Sequence, residues 1–154
     1  MDLSDLLKPG AIRVSPGVKS KKRLFQDIAE LAQAVYAIDA AQAVDALQER
    51  ESLGPTGVGH GVALPHARID GLARVVGAFV RLERPFDYGS VDRAPVDLVF
   101  ALFAPREAGV EHLKALALVS RTLRDASVCA KLRANAEPEA LFAILTAQLD
   151  SKAA

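Results

Sequence analysis

The chain has 154 residues, half of them apolar and a quarter charged, which suits one soluble globular domain spanning residues 1–154. Nineteen basic residues balance nineteen acidic ones, and a net charge of zero lacks the basic surplus that general nucleic-acid binding requires. The most apolar runs, near residues 75–80 and 98–104, are too short to span a bilayer, and the first eight residues lack the layout of a signal peptide, so we expect a cytoplasmic protein without membrane insertion.

The first third of the chain predicts helices separated by one short strand. Apolar residues recur at helical spacing after Ser20 and after Asp39, and both residues are typical helix N-caps. The expected elements are a helical turn at Leu3–Leu7 ended by Pro9-Gly10, an edge strand at Ala11–Val14, a turn at Ser15–Gly17, a helix from Ser20 to about Tyr36, and a helix from Asp39 to about Glu51 with Ala40, Val44 and Leu47 on its apolar face.

The middle of the chain has strand character. A loop with four glycines at Glu51–Gly61 precedes it, and Arg84–Gly89 is expected to be a loop or short edge piece. The predicted strands are Val62–His66, Val75–Leu82 and Val96–Phe103. The last two are nearly continuous apolar runs, which is typical of strands covered on both faces.

Helical spacing returns from Gly109. The predicted helices are one from Gly109 to near Asp125 with Leu113, Leu116, Ala117, Ser120 and Leu123 on its buried face, one at Ala126–Ala134 that buries Cys129, and one opened by Pro138 that buries Leu141, Phe142, Ile144, Leu145 and Leu149. We therefore expect an α/β fold, a mixed β-sheet flanked by helices on both faces.

The most informative segment is the glycine-rich loop that leads into His66. Glycines such as Gly59 and Gly61 let backbone N–H groups come close to an anion, because no Cβ blocks the approach. An imidazole at a strand end above such a floor is suited to accept a phosphoryl group, since its pKa near 6.5 leaves a neutral, nucleophilic nitrogen at neutral pH. The alternative is a core histidine that is merely hydrogen-bonded, and residue types leave both open.

The other histidines allow several readings. His112 lies near the start of a helix, where free N–H groups attract anions; it either supports a phosphoryl group on His66 or is a surface residue of the first turn. His60 is expected to be an exposed polar residue. The three histidines, even with Asp70 or Glu111, lack the spacing of zinc ligands, and the motifs of a P-loop and of a serine-hydrolase elbow do not occur.

These residues resemble a known signature. The run formed by Glu51, Val58-Gly59 and Val62–Ala67 is similar to the active-site signature of enzyme IIA domains of the fructose/mannitol class, which belong to the bacterial phosphoenolpyruvate-dependent phosphotransferase system. Residues 48–54, 95–105 and 111–116 resemble the nitrogen-regulatory branch of that family, and the similarity runs from about Leu3 to Leu149.

The resemblance implies a fold and a set of roles. The fold would be of the mannitol-type enzyme IIA; His66 would be phosphorylated, through Nε2; His112 would be the second active-site histidine; and Arg50 would meet phosphate charge. The donor would be an HPr-like phosphocarrier (NPr in the nitrogen branch), charged by enzyme I and phosphoenolpyruvate, with no metal or organic cofactor. Pro55 departs from the small polar residue expected there and removes one backbone donor from the loop.

Three outputs remain open for such a protein. It is expected first to regulate partners such as kinases or potassium transport and sensor proteins through its phosphorylation state. A sugar-specific enzyme IIA would instead pass the phosphate to a IIB domain for fructose or mannitol. A third possibility is a binding module that docks when unphosphorylated, with phosphate acting only as the release switch.

Overall fold

The computed structural model describes residues 1–147, which form helices and strands in the order expected for an α/β fold. The elements are α1 (Leu3–Leu6), β1 (Leu7–Ser15), α2 (Lys21–Tyr36), α3 (Ala40–Ser52), β2 (Gly57–Gly59), β3 (Val62–Ala63), β4 (His66–Ile69), β5 (Val76–Phe86), β6 (Val96–Pro105), α4 (Gly109–Leu123), α5 (Ala126–Arg133) and α6 (Pro138–Thr146). Within this range, no helix combines the length and the apolar character needed to cross a membrane.

The six strands form one mixed sheet in the order β1-β5-β6-β3-β2, and β4 also pairs with β6. Strands β1 and β5 are parallel, β5 and β6 antiparallel, and both β3 and β4 run parallel to β6. The prediction of a mixed sheet is confirmed. Because β3 and β4 follow one another along the same side of β6, the chain between them stays beside the central strand, and this segment leads into His66.

Strands β5 and β6 form the centre of the core. Every residue from Leu98 to Ala104 is inaccessible to solvent, and Ala78, Phe79 and Val80 of β5 are too. Successive strand residues point to opposite faces, so an unbroken buried run requires cover on both faces of the sheet. The predicted flanking by helices on both faces is therefore confirmed.

The predicted helix starts are confirmed by their caps. The Ser20 hydroxyl accepts a hydrogen bond from the Arg23 N–H, and the Asp39 carboxylate accepts one from the Gln42 N–H. Pro138 occupies the first turn of α6, where its missing N–H costs nothing. Leu141 and Leu145 of α6 are buried as predicted and Phe142 and Ile144 partly so, whereas Leu149 lies outside the described residues.

Two strands are longer than the sequence pattern predicted. Pro9-Gly10 does not end α1 but lies inside β1. The register of β1 against β5 is irregular between Leu7 and Ile12, so the strand pairing there does not require an N–H from Pro9. Strand β5 continues through Phe86, which pairs with Val96, so Arg84–Phe86 is strand rather than loop. The predicted glycine loop also contains β2.

The predicted strand Val62–His66 is two strands, and His66 begins the second rather than ending the first. The break has a clear cause in the hydrogen bonds. The Leu64 N–H is donated to the Thr56 carbonyl, Pro65 has no N–H, and the Leu64 carbonyl accepts from the His66 ring. Pairing with β6 resumes when Leu102 donates to the Pro65 carbonyl.

The predicted buried face of α4 was right at Leu123 and partly right at Leu116, but wrong at Leu113 and Ala117. Leu113 is 68% exposed and Ala117 is also exposed, while the face toward the sheet consists of His112, Ala115, Leu118, Val119, Thr122 and Leu123. Both sets of residues recur at helical spacing, and the small Ala115 together with Val119 fits the close approach to β6. The true face buries His112 and leaves Leu113 at the surface.

We expect Phe100→Ala to lower the free energy of unfolding by about 3–5 kcal/mol, because Phe100 is wholly buried beside Phe79 at the centre of the sheet. Urea unfolding followed by circular dichroism measures the change. Val91→Ala, at a residue 69% exposed, is the control and should change stability by less than about 0.5 kcal/mol. Equal effects of the two substitutions would contradict the placement of the core.

Candidate active site

The ring of His66 is fixed through one of its nitrogens. Its Nδ1 lies 2.9 Å from the carbonyl oxygen of Leu64. A carbonyl only accepts hydrogen bonds, so Nδ1 carries the proton of the neutral ring and Nε2 is left with its lone pair. Strand β4 holds the backbone of His66 against Leu102 of β6, and the side chain is half-buried. The ring is thus held in one tautomer with a nucleophilic nitrogen available.

His112 lies directly beside His66. The two ring centroids are 5.5 Å apart with the planes at 74°, an edge-to-face arrangement. His112 is the fourth residue of α4 and only 6% exposed, which excludes the surface reading. Its Nε2 is buried and has no hydrogen-bond partner among residues 1–147. An unpartnered buried nitrogen beside His66 is available to bond a group attached there.

Both rings are held neutral at physiological pH. Burial lowers the pKa of His66; the charge of Arg50 lowers it further, while the hydrogen bond to the Leu64 carbonyl and the charge of Glu51 work in the opposite direction. Burial lowers the pKa of His112 to about 4, with smaller contributions from His66 and Arg68. The site therefore presents two neutral imidazoles beside positive charge.

The two histidines open into a pocket of about 460 Å³, with a basic lining and an apolar rim. It is lined by Ala46, Glu49, Arg50, Leu53, His66, Ala67, Arg68, Arg106, His112, Leu113 and Leu116. Arg50, in the last turn of α3, donates a hydrogen bond from Nη1 to the Gly54 carbonyl at 3.0 Å, which orients its guanidinium. Leu53 and Leu113 are 81% and 68% exposed. Three arginines against one glutamate suit a dianionic group on His66.

Gly59 and Gly61 are not brought to this pocket. Both have positive φ and lie at the turn between β2 and β3, on either side of His60. The His60 N–H is donated to Asp92, and the His60 carbonyl accepts from Arg133. A Cβ on Gly61 would lie 2.5 Å from Arg133 Nη2. The structure therefore corrects the expectation of a glycine floor under His66: these glycines fit a tight hairpin.

A second concavity, of about 710 Å³, lies beside that hairpin. Gly59, His60 and Leu64 line it from one side and Cys129 and Arg133 from the other. His60 is exposed and Cys129 is buried, as the sequence predicted. The Cys129 thiol donates to the Leu123 carbonyl, and burial raises its pKa. Among residues 1–147, no three His, Cys, Asp or Glu side chains are grouped so as to hold a metal ion.

Sequence reasoning missed two arginines of the pocket, Arg68 and Arg106. Arg68 lies two residues after His66 on β4, and the burial along β4 alternates, so the strand period alone places both side chains on one face. Arg106 follows β6, and the pairing of Ile69 with Pro105 brings it to the end of β4. Arg68 Nη1 donates to the Arg106 carbonyl at 2.7 Å, and Asp70 is ion-paired with Arg106. Only the sheet topology reveals Arg106.

The low pKa of His112 predicts a loss of stability in acid. As the pH falls from about 6.5 toward 4, the unfolded chain binds a proton that the folded chain does not, so the free energy of unfolding decreases. We expect His112→Gln to reduce the loss measured between about pH 7 and pH 5 by up to about 2 kcal/mol. Urea unfolding at both pH values gives the result, with equal m-values as the control. The same loss in both proteins would contradict a buried, neutral His112.

The chain matches known proteins over most of its length. Residues 5–148 match the family described as "Phosphoenolpyruvate-dependent sugar phosphotransferase system, EIIA 2". The chain is 43% identical over 145 residues to a nitrogen regulatory protein of Bradyrhizobium diazoefficiens, covering 94% of this chain and 95% of that one. It is 37% identical over 147 residues to a nitrogen regulatory protein of Escherichia coli, covering 95% and 90% of the two chains.

The solved structures agree with the sequences. The nitrogen regulatory protein IIA-Ntr of Neisseria meningitidis superimposes with a TM-score of 0.87 at 35% identity, covering 94% of this chain and 99% of that one. The mannitol IIA of Escherichia coli has the same fold, with a TM-score of 0.76 at 19% identity and coverage of 90% and 97%. The chain therefore belongs to the enzyme IIA family of the phosphoenolpyruvate-dependent phosphotransferase system, and within it to the group of the nitrogen regulatory proteins.

Proposed function

We propose that this chain is a phosphocarrier that accepts a phosphoryl group on Nε2 of His66. The observation that carries the proposal is the hydrogen bond from Nδ1 to the Leu64 carbonyl, because it leaves Nε2 as the nucleophile at the edge of a basic pocket. The family match supports it, since the family is one of phosphotransferase components. No metal or organic cofactor is needed for transfer between two imidazoles.

The transfer is a direct displacement at phosphorus. The Nε2 lone pair forms the new N–P bond as the N–P bond of the donor's phosphohistidine breaks, and the bonding electrons return to the donor imidazole. Arg50, Arg68 and Arg106 line the pocket and would neutralise charge on the phosphoryl oxygens. The unpartnered Nε2 of His112 would hydrogen-bond one of those oxygens, for which its neutral ring needs the tautomer protonated at Nε2.

We infer that the donor is an HPr-like phosphocarrier (NPr) charged by enzyme I, and that the protein acts in the cytoplasm. The exposed apolar side chains Leu53, Val110 and Leu113 lie close in sequence to Arg50 and His112, and two of them line the pocket. A protein surface with an apolar rim around a basic centre suits docking of a carrier that presents a phosphorylated histidine.

Regulation of partner proteins is the output that the relatives favour, because relatives that match more than 90% of the chain are named nitrogen regulatory proteins. Kinases and potassium transport or sensor proteins are the partners we propose. Phosphate would switch docking, since a dianion placed between Leu53 and Leu113 opposes burial of that face. The second candidate is transfer to a IIB domain, because one structural neighbour of the same fold is the mannitol enzyme IIA in complex with phosphorylated enzyme IIB.

Phosphorylation on His66 is tested by intact mass after incubation with phosphoenolpyruvate, enzyme I and the HPr-like carrier. We expect an acid-labile gain of one phosphoryl group that is absent in His66→Ala. In His112→Ala the gain should appear about a hundredfold more slowly, because one donor to the phosphoryl oxygens is lost. An unchanged mass with active carriers would contradict the proposal. An unchanged rate in folded His112→Ala would remove His112 from the mechanism.

The docking face is tested separately with Val110→Asp, at an exposed residue of that face that does not line the pocket. We expect transfer from the HPr-like carrier to slow by about tenfold or more, because a charge replaces an exposed apolar contact. Phosphorylation by the small molecule phosphoramidate should stay within about twofold of the native rate, since it needs no docking. Val91→Asp, at a similarly exposed valine on the turn before β6, is the control. Equal carrier rates in the two variants would place the docking face elsewhere.

A further inference from the structure

We propose that Glu51 is a positioning residue for His66, acting through Thr56 and Leu64. The inference rests on the proposed function, because it concerns the presentation of the nitrogen that would accept the phosphoryl group. Glu51 does not line the pocket, so apart from the direct effect of its charge on the pKa of His66, it can position the ring only through other residues. The structure contains a continuous path of hydrogen bonds for that purpose.

The path begins at a buried carboxylate. The Glu51 side chain is only 8% exposed and accepts hydrogen bonds from Lys21 Nζ at 2.8 Å, the Thr56 N–H at 3.1 Å, the Thr56 hydroxyl and the Tyr88 hydroxyl at 3.2 Å. Lys21 also lies 4.2 Å from the centre of the Tyr88 ring. Residues from α2, α3, the loop after α3 and the β5–β6 connection therefore meet at one charge.

That carboxylate is ionised at neutral pH. Burial alone would raise its pKa, but the hydrogen bonds from Lys21 and Thr56 more than offset this and keep the pKa below its ordinary value. Burial raises the pKa of Tyr88, so its hydroxyl keeps its proton and is able to donate. A charged acceptor makes stronger hydrogen bonds than a neutral one, which fixes Thr56 firmly.

The path then runs along the backbone to the ring. Thr56 uses its N–H and hydroxyl toward Glu51, and its carbonyl accepts the Leu64 N–H at 2.9 Å. The Leu64 carbonyl in turn accepts from His66 Nδ1 at 2.9 Å. Leu64 itself has no partner in the pairing of β3 and β4 with β6, so the bond to the Thr56 carbonyl holds its N–H where that pairing does not. Loss of Glu51 would release Thr56, then Leu64, and then the tautomer of His66.

The same carboxylate also bears on the basic side of the pocket. Glu51 follows Arg50 in the last turn of α3, and its bonds to Lys21 and Thr56 anchor that turn to the rest of the fold. The Arg50 guanidinium is bonded to the Gly54 carbonyl in the loop that Glu51 closes. One buried charge therefore positions both the nucleophile and a cation proposed to receive the phosphoryl group. Nothing in the proposed chemistry of the pocket itself requires Glu51 to touch phosphate.

The test is nitrogen NMR of the unphosphorylated protein, in which imidazole shifts report the tautomer of His66 directly. We expect His66 to be protonated at Nδ1 in the native protein and to lose that preference in Glu51→Ala. Glu51→Gln should keep most of it, because the amide oxygen still accepts from the Thr56 N–H. The rate of phosphorylation by phosphoramidate should fall about tenfold or more in Glu51→Ala and less in Glu51→Gln.

The matched control is Asp27→Asn. Asp27, on α2, is a carboxylate of equal burial, 8% exposed, and it is ion-paired with Arg13 of β1 and Arg23 of α2 rather than with the segment that leads to His66. Its loss should leave the tautomer of His66 native. If Glu51→Ala does not fold, Glu51→Gln decides: the weaker, neutral acceptor should leave a measurable minor population of His66 protonated at Nε2, whereas Asp27→Asn should not.

A native tautomer and a native rate in folded Glu51→Ala would overturn the positioning role, as would an unchanged tautomer population of His66 in Glu51→Gln. The tautomer readout is independent of the proposed function, whereas the rate depends on it. If the native protein is never phosphorylated, the proposed function fails while the tautomer result still stands on its own.

Discussion

The hydrogen bond between the His66 ring and the carbonyl of Leu64 is the interaction on which the site depends. It selects one of two tautomers, and only that tautomer leaves Nε2 with a lone pair on the ring edge away from the backbone. A carbonyl inside a regular strand pairs with the neighbouring strand and is not free for a side chain. The interruption between β3 and β4 is therefore the structural requirement for the proposed chemistry, and Pro65 sustains it by removing an N–H and favouring extended backbone at Leu64.

The charges around His66 serve two ends at once. Positive charge near an imidazole disfavours its protonated form and also attracts a phosphoryl dianion, so the Arg50 side chain would favour both the proposed nucleophile and the proposed product. Burial adds to the first effect and strengthens the second. Burial also has a cost: because His112 is kept neutral in the folded state, the free energy of unfolding decreases in acid. Such a cost is typical of residues retained for chemistry rather than for stability.

The sequence predicted the fold class and most helix boundaries because these depend on local signals. N-caps at Ser20 and Asp39 and apolar runs at β5 and β6 are readable without knowledge of the neighbours. The buried face of α4 was not readable, since Leu113 and His112 both fall on plausible helical stripes and only the packing against β6 decides between them. Hydropathy favoured the leucine, whereas the structure buries the histidine.

The glycines show a different limit of prediction from sequence. A glycine-rich loop before a candidate histidine suits an anion floor, but Gly61 is required by a positive φ and by the close approach of Arg133. Composition does not distinguish a glycine that admits a ligand from one that admits a neighbouring side chain. The same holds for Arg106, whose place beside His66 follows from the parallel pairing of β4 with β6 and from nothing in its own surroundings in the sequence.

The arrangement of the segment from Glu51 to His66 explains why the match to the family signature begins so far before the histidine. Glu51 is fifteen positions from His66 in the sequence, yet only Thr56 and Leu64 separate them along the hydrogen bonds. The glycine hairpin between Thr56 and Leu64 returns the chain so that these two residues meet, and Arg133 with Asp92 holds its turn. The glycines thus contribute to the site at a distance: they allow the reversal by which a buried carboxylate reaches the backbone that orients the ring.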